Sequence, residues 1–388
     1  MSSTRPADEA RFVEADLLPE MVHERCFCEA GSREFVEFES ARVAPLRPES
    51  HQLRCALYRA ELVVRFSGEP RAFRVLVKLL PESAPGQTDA ELELAYRGFL
   101  NEEIACNKAR LRLGAELYPK IYLADMGKYG RPVVVVEDLE RAGYYRVADR
   151  EFSVEEARAV LRSIGSFHGK GMALRQNQFA AFREFTAKFQ EITFAEAVEA
   201  DTRAKYAEFI EQLRYMTARM DDTEVAQTAE RVLTSDPYAK CRSATQSVDS
   251  AEATATICQG LLLRENLWFR RLNGRTEVRA LDWQRVRHGS CGVDLATVLA
   301  QCRFYDWKLL LRDYAAAVRR EQPTLDAAQL EAGLASPGFP HAFLLLSLAD
   351  QSELPPLTVL HGAFARGFAE RVESPAREPI VLRADGTQ

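Results

Sequence analysis

Alternating apolar and polar residues predict β-strands in the first part of the chain. Residues 53–66 and 72–80 alternate in this way, and residues 67–70, SGEP, supply a Gly and a Pro for a turn between them. Two short runs rich in β-branched residues, 121–125 and 132–139, predict two further strands. The first part of the chain is therefore expected to be rich in β-structure and to contain a hairpin.

Apolar residues at helical spacing predict one helix between these strands and a mostly helical chain after Glu140. Apolar residues recur at helical spacing over residues 90–113. Ser153 and Glu156 have the spacing of a capping box, which predicts a helix running to about residue 173. Further helical patterns cover about 203–233 and the chain from residue 293 to its end.

A small group of strands interrupts this helical half. Residues 254–260, 266–271 and 277–283 are strand-like, and Asn273-Gly274 is a strong signal for a hairpin turn between the last two. The order of elements predicts an α+β protein of two lobes, and taken with the side chains described below it resembles the bilobal kinase fold. Its β-rich N-terminal lobe would span residues 1–139, with a short N-terminal extension, and its mostly helical C-terminal lobe residues 140–388, together forming one domain.

Composition narrows the class of partners. The chain has 388 residues and a formal net charge of −6, without a concentration of either sign in one half. Neither nucleic acid nor an anionic membrane is therefore expected as its main partner. No run approaches the ~20 apolar residues of a membrane span, and the eight cysteines are scattered without metal-site spacing. These features predict a soluble cytoplasmic protein with reduced thiols.

Candidate chemistry begins at the end of the predicted hairpin. Lys78 closes the run FRVLVK, where a lysine could reach nucleotide phosphates, although an edge-strand lysine can also serve only to discourage aggregation. Glu102 and Glu103 lie about 25 positions later on the predicted helix, where a carboxylate could pair with Lys78. Glu137-Asp138-Leu139 falls where the two lobes should join, and its backbone could hydrogen bond an adenine ring, or simply end a strand.

Three polar residues lie around the later strands. Asp282 follows an apolar strand, and an aspartate there is costly to bury unless it is paired or binds a metal. Asn266 lies sixteen residues earlier, across the Asn-Gly hairpin, and its amide oxygen could be a second magnesium ligand. Asp294 is expected to cap the helix that follows it.

Several of these segments together resemble the CHK kinase-like family, also called ecdysteroid kinase-like proteins, which are related to choline kinases and aminoglycoside phosphotransferases. The similarity covers roughly residues 53–372. The segments that carry it are VLVK around Lys78, VVVVEDLERAGYYRVADR over 133–150, IGSFHGKG from Ile164, and ALDWQRVRHGSCGVDLA over 280–296.

The resemblance implies a role for each candidate. Lys78 would hold the α- and β-phosphates of ATP, and Glu103, or as the second choice Glu102, would pair with it. Asn266 and Asp282 would bind Mg²⁺, and Asp294 would brace the catalytic loop. The connector residues Glu137 and Leu139 would bind the nucleotide, and the acceptor would be a hydroxyl group of a small molecule.

The chain departs from the family pattern at two places. The family's catalytic loop carries His-Gly-Asp, with four residues between the Asp and an Asn, whereas this chain reads Gln259-Gly260-Leu261 before Asn266. Leu261 therefore occupies the position of the aspartate that accepts the proton of the substrate hydroxyl. Glu265 is a possible substitute base, but its side chain would have to converge with that of its neighbour Asn266. In addition, residues 46–52, LRPESHQ, contain no glycine where the nucleotide-covering turn should lie.

Three functions follow from these patterns. The first is an ATP-dependent phosphotransferase acting on a small-molecule hydroxyl, with activity weakened or lost because of Leu261. The second is a pseudokinase that binds a nucleotide or small ligand, or acts as a scaffold. In the third, Lys78 and Asp282 only stabilise the fold by pairing with each other, and no nucleotide binds.

Overall fold

A computed structural model describes most of the first 326 residues. The described residues are 6–46, 55–80, 88–147, 152–196, 254–302 and 307–326, with isolated positions between 199 and 242 and residue 330. The glycine-free segment 47–52, most of the predicted helix 203–233 and the helical pattern after 330 lie outside them. Among the described helices, none combines the length and the apolar character that crossing a lipid bilayer requires.

The first part of the chain forms one five-stranded antiparallel sheet, in the order β1-β2-β3-β5-β4. Its strands are β1 (Val36–Leu46), β2 (Ala56–Phe66), β3 (Glu69–Leu79), β4 (Ile121–Asp125) and β5 (Val133–Glu137). The predicted hairpin and the two later strands are confirmed. Strand β1 was not predicted; none of its residues is fully buried, and a bulge between Phe38 and Ser40 interrupts its alternation.

The N-terminal extension covers one face of this sheet. It forms α1 (Pro6–Phe12), a π-helical turn (Val13–Leu17) and α2 (Leu18–His23). The apolar side chains of this segment share a core cluster with β2, β3 and β5. Glu9 is buried there, where it accepts a hydrogen bond of 2.7 Å from Tyr58 Oη and pairs with Arg131 at 2.9 Å.

The predicted helix over residues 90–113 is confirmed and covers the opposite face of the sheet. It begins as α3 (Asp89–Ile104), continues through a π-helical turn (Ala105–Ala109) and ends as α4 (Arg110–Leu113). Thr88 and Glu91 form a capping box at its start. Because α3 packs on the sheet beside the end of β3, it brings Glu102 close to Lys78.

The later part of the described chain is mostly helical. Its helices are α5 (Val154–Asn177), α6 (Phe179–Thr186), α7 (Gly292–Ala300) and α8 (Trp307–Glu321). The capping box of Ser153 and Glu156 is present as predicted, and α5 runs four residues beyond its expected end. These helices surround a large apolar core that also includes the end of the α3–α4 segment.

Two small sheets lie at the edge of this helical part. One has the order β6-β8-β9, made of β6 (Tyr145–Arg146), β8 (Leu267–Leu272) and β9 (Arg275–Ala280). The other pairs β7 (Ala255–Cys258) with β10 (Arg287–Ser290), a strand that was not predicted. The predicted turn at Asn273-Gly274 connects β8 to β9. The loop after β7 and the loop after β9 therefore lie side by side, as the 2.9 Å bond from Leu281 N to Asn266 O shows.

Helices α5 and α8 approach each other through two glycines. A Cβ atom on Gly165 would lie 2.7 Å from Tyr314 O, and one on Gly169 would lie 2.7 Å from Val318 O. Both distances are far below ordinary van der Waals contact with a backbone atom that cannot rotate away. The close packing of these helices, which brings His168 of α5 against Tyr314 of α8, therefore requires glycine at both positions.

We expect Gly169→Ala to lower the free energy of unfolding by roughly 1–3 kcal/mol, as overpacking of a close-packed interior does. The gain of about 1 kcal/mol in helix propensity offsets only part of this loss. Gly127→Ala is the matched control, because a Cβ there meets nothing within 4 Å. Denaturant unfolding of both variants measures the difference, and equal stabilities would contradict the proposed requirement for close helix packing.

Candidate functional site

Lys78 connects three separate parts of the structure. It lies near the end of β3 with only 8% of its surface exposed. Its Nζ donates hydrogen bonds of 2.8 Å to Glu102 Oε2 on α3 and of 2.8 Å to Asp282 Oδ1 in the loop after β9. The sheet, the helix and the later loop therefore meet at one buried ammonium group.

Of the two predicted partners of Lys78, the structure pairs the lysine with Glu102, the second choice, and not with Glu103. Glu102 forms the ion pair, whereas Glu103 Oε1 accepts a 2.8 Å bond from Asn107 Nδ2. Successive residues of an α-helix point about 100° apart, so only one of two adjacent glutamates can face the sheet. The second Glu102 oxygen, Oε1, accepts a 3.4 Å bond from Trp283 N and thereby contacts the later loop as well.

Burial and ion pairing shift the pKa values of Lys78 and Glu102 in opposite directions. Burial disfavours the charged form of Lys78, but the carboxylates of Asp282 and Glu102 outweigh it and raise its pKa. Burial raises the pKa of Glu102, and the nearby Asp282 carboxylate acts in the same direction, while Lys78 opposes both. The ammonium is therefore held firmly in its charged state between two buried acids.

Gln284 completes this cluster and was not predicted to have a role. With its amide oxygen turned towards Lys78, it accepts from Nζ at 3.2 Å and donates to Asp282 Oδ1 at 3.0 Å. Its backbone oxygen accepts a 2.8 Å bond from Asn101 Nδ2 on α3. The only sequence signal was its place in the segment ALDWQ, two residues after Asp282.

The loop after β7 is held in shape by Gln259 and Gly260. The Gln259 amide donates to the backbone oxygens of Leu281 and Asp282 at 3.1 and 2.7 Å, and its oxygen accepts from Leu261 N at 2.8 Å. Gly260 has a φ of +92°, and a Cβ on it would lie 2.1 Å from Arg285 O. This backbone conformation and this close approach both require glycine.

Asp294 holds the backbone of the same loop, the one after β7, through hydrogen bonds. Its two carboxylate oxygens accept the backbone N–H groups of Gln259 at 2.7 Å and Gly260 at 2.8 Å. It is also hydrogen-bonded to His168 Nε2 at 3.1 Å, and His168 Nδ1 contacts Tyr314 Oη at 2.9 Å. The expectation that Asp294 caps its helix was wrong, because α7 has no side-chain cap and Asp294 lies within its first turn, facing the loop.

Leu261 is completely buried at the position of the expected base. Its backbone oxygen accepts a 3.1 Å bond from Asn266 Nδ2, so the predicted metal-binding amide is positioned by the same loop. Glu265, the possible substitute base, is half-buried in the short 3₁₀ helix that ends at Asn266. The predicted metal ligands Asn266 and Asp282 are linked through Leu281, whose N–H donates to Asn266 O.

One further group of side chains has the composition of a metal site. His168, Cys258 and Asp294 place their ligand atoms within 4.8 Å of one another. However, His168 and Asp294 are hydrogen-bonded to each other, and Cys258 Sγ donates to Ser290 O at 3.2 Å. These three side chains are therefore part of a buried hydrogen-bond network next to the loop after β7.

The predicted connector begins at Glu137, the last residue of β5. Glu137 exchanges two hydrogen bonds with the backbone of Lys120, through its own N–H at 2.9 Å and its side chain at 2.6 Å. The backbone oxygen of Leu139 accepts from Tyr144 N at 2.9 Å. Asp138 is buried and pairs with Arg59 of β2 at 2.6 Å, so the connector is attached to the sheet.

A cavity of about 80 Å³ lies between the sheet and the later loops. Its apolar wall consists mainly of aliphatic side chains of the sheet, and its polar end contains Lys78, Glu102 and Asp282. The chemistry of this lining fits a nucleotide, with apolar surface for a base and a cation for phosphates. The volume is well below the roughly 300–1,000 Å³ of small-molecule sites, so a nucleotide fits only if the two sides of the cavity separate.

Comparisons with known proteins give one family and several similar structures. Residues 56–318 match the ecdysteroid kinase-like family, and every site residue described above lies within that range. A microcompartment-associated aminopropanol kinase is 15% identical over 85% of this chain and 92% of its own, with a TM-score of 0.46. A spectinomycin phosphotransferase in complex with ADP and spectinomycin is 8% identical over 92% of this chain and 98% of its own, with a TM-score of 0.44.

A choline kinase from Cryptosporidium parvum Iowa II is 11% identical over 84% of this chain and 91% of its own, with a TM-score of 0.41. No curated protein sequence is significantly similar to the chain. The family match alone covers more than half of the chain.

We expect Glu102→Gln to lower the free energy of unfolding by roughly 1.5–3 kcal/mol, because it removes a buried charge-assisted hydrogen bond to Lys78. Glu103→Gln is the matched control at the neighbouring position and should change stability by less than about 0.5 kcal/mol. Urea unfolding of the two variants beside the wild type provides the measurement. A larger loss in Glu103→Gln would show that the ion pair is assigned to the wrong glutamate.

Proposed function

The chain belongs to the ecdysteroid kinase-like family, and we propose that it is a cytoplasmic nucleotide-binding member whose transfer of phosphate to a small-molecule hydroxyl is weak or lost. The observation that carries this proposal is the contrast between Leu261 and its surroundings. Leu261 is fully buried and apolar, whereas Lys78, Glu102 and Asp282 form an intact charged cluster.

The retained residues are suited to hold a magnesium nucleotide. Lys78 would contact the α- and β-phosphates, and Asn266 and Asp282 would supply amide and carboxylate oxygens, which are the ligand types that Mg²⁺ prefers. The backbone of Glu137 and Leu139, at the connector, would face the base. Bound Mg²⁺ would supply charge neutralisation on the transferred phosphate. Glu102 would keep the Lys78 ammonium oriented when Asp282 turns from Lys78 towards the metal.

The missing base lowers the expected rate without excluding the reaction. A general base contributes typically about 10² to 10⁴ in rate, while phosphoryl transfer depends mainly on positioning and charge neutralisation. A leucine neither accepts a proton nor orients a hydroxyl. Glu265 is a weak substitute, because it lies beside Asn266 in a single 3₁₀ turn and consecutive side chains there point in different directions.

A second candidate is a pseudokinase that serves as a binder or scaffold and transfers no phosphate. Two observations favour it: the cavity of about 80 Å³ is small, and Lys78 already pairs with Asp282 at 2.8 Å. In the extreme form of this candidate the ion pair only stabilises the fold, and no nucleotide enters. Binding and turnover measurements separate the candidates.

Mg-ATP at 100 times its dissociation constant should stabilise the wild type by ~2.7 kcal/mol, which is seen as a rise in melting temperature. Lys78→Ala and Asp282→Ala, each compared with its own ligand-free melting temperature, should lose most of that rise. Lys120→Ala serves as the control, because Lys120 is an exposed lysine outside the cavity. A wild type whose melting temperature does not respond to millimolar Mg-ATP would leave only the structural role for the ion pair.

Restoring the base should restore turnover. We expect Leu261→Asp to raise the rate of Mg-ATP turnover with a panel of small alcohols by roughly 10²-fold or more over the wild type. Leu261→Asn is the matched control, since it places a polar side chain of similar size in the same buried position without a base. If the wild type turns over as fast as Leu261→Asp, the absent aspartate does not limit the reaction and the proposed loss of activity is wrong.

A further inference from the structure

Within the part of the chain that the structure describes, Trp268 carries a buried polar atom without a hydrogen-bond partner. It lies on β8, two residues after Asn266, and only 7% of its surface is exposed. Its Nε1 makes no hydrogen bond to any residue that the structure describes. Trp283, the other buried tryptophan near the cavity, shows the usual arrangement, because its Nε1 donates to Ala280 O at 2.9 Å.

The surroundings of Trp268 place it between the connector and the charged cluster. Its indole shares an apolar cluster with Leu139 of the connector, with Tyr144 and with Leu281. Leu281 also lines the cavity between the sheet and the later loops, and it immediately precedes Asp282. The Arg146 guanidinium lies 5.1 Å from the centre of the indole ring, so one face of the ring already has a cation against it.

A buried N–H without an acceptor is unfavourable, and such groups in native proteins call for a specific explanation. A nucleotide that stretches from the connector to Lys78 would pass Leu281, which lines the cavity and packs in the same apolar cluster as Trp268 and Leu139. Its phosphates would be at Lys78 and Asp282, so its nucleoside part would be nearest to Trp268. Base nitrogens and sugar oxygens are acceptors, which is the group that the indole N–H lacks.

We propose that Trp268 Nε1 donates a hydrogen bond to an acceptor atom of the nucleoside part of a bound nucleotide, which makes Trp268 a specificity-determining residue. This inference rests on the proposed nucleotide binding. It separates the recognition of the nucleoside, at Trp268, from the recognition of the phosphates, at Lys78. A ligand with phosphates but no nucleoside should therefore not sense the indole N–H.

Isothermal titration of the wild type and Trp268→Phe with Mg-ATP and with magnesium tripolyphosphate tests this assignment. Phenylalanine keeps an aromatic ring against Leu139 and Arg146 and removes only the indole N–H and part of its volume. We expect the affinity for ATP to fall about fivefold or more, while the affinity for tripolyphosphate stays unchanged. Equal loss for both ligands would indicate a general distortion of the site and would overturn the proposal.

Two further variants separate the N–H from the volume of the ring. Trp268 replaced by 3-benzothienylalanine, which has sulfur in place of the N–H at nearly the same size, should lose ATP affinity as Trp268→Phe does. Wild-type affinity in that variant would show that the N–H donates nothing to the ligand. Tyr118→Phe is the control, because it removes another buried polar atom that has no partner among the described residues and that lies outside the connector, and it should leave ATP affinity unchanged.

The two levels of the proposal fail in different ways. If the wild type binds neither ATP nor tripolyphosphate, the proposed nucleotide binding is wrong and the role of Trp268 falls with it. If the wild type binds ATP and Trp268→Phe binds it equally well, nucleotide binding stands and only the role of the indole N–H is wrong.

Discussion

The buried pairing of Lys78 with Glu102 and Asp282 is the constraint on which the arrangement of the whole molecule depends. One ammonium and two carboxylates are held away from water, and each would be strongly unfavourable alone. The three groups come from the sheet, from α3 and from the loop after β9, so each part must keep its position for the charges to remain paired. The same three side chains also form the polar end of the cavity between the sheet and the later loops.

The shape of the loop after β7 does not depend on the side chain of Leu261, which lies at the position of the expected base. Asp294 binds two of its backbone N–H groups, Gly260 allows its tight turn, and the Gln259 side chain links it to the backbone of Asp282. None of these contacts uses the side chain of Leu261. Because the side chains of Asp294 and Gln259 hold the backbone of this loop, a leucine at position 261 gains apolar burial without disturbing the fold. A family fold with a family loop therefore does not by itself establish the family's reaction.

Local sequence signals predicted the regular elements well where burial was strong. The hairpin of β2 and β3, the helix from α3 to α4 and the capping box at Ser153 all match the structure. The N-terminal helices were missed for a different reason. Their apolar residues are interrupted by charges such as Glu9, and burying such a charge becomes favourable only when a partner from a distant segment, here Arg131, is in place.

The sequence by itself determined which chemical groups are available: a lysine at the end of a strand, an amide and a carboxylate around a hairpin, and a leucine where the base should be. It could do so because motif spacing and residue type are local properties of the chain. Only the tertiary structure decided which glutamate pairs with Lys78, that Gln284 joins the charged cluster, and that Trp268 is buried beside the connector with an N–H that no described residue accepts. These facts depend on the rotation of a helix and the register of strands, which are set by packing between segments up to about two hundred residues apart.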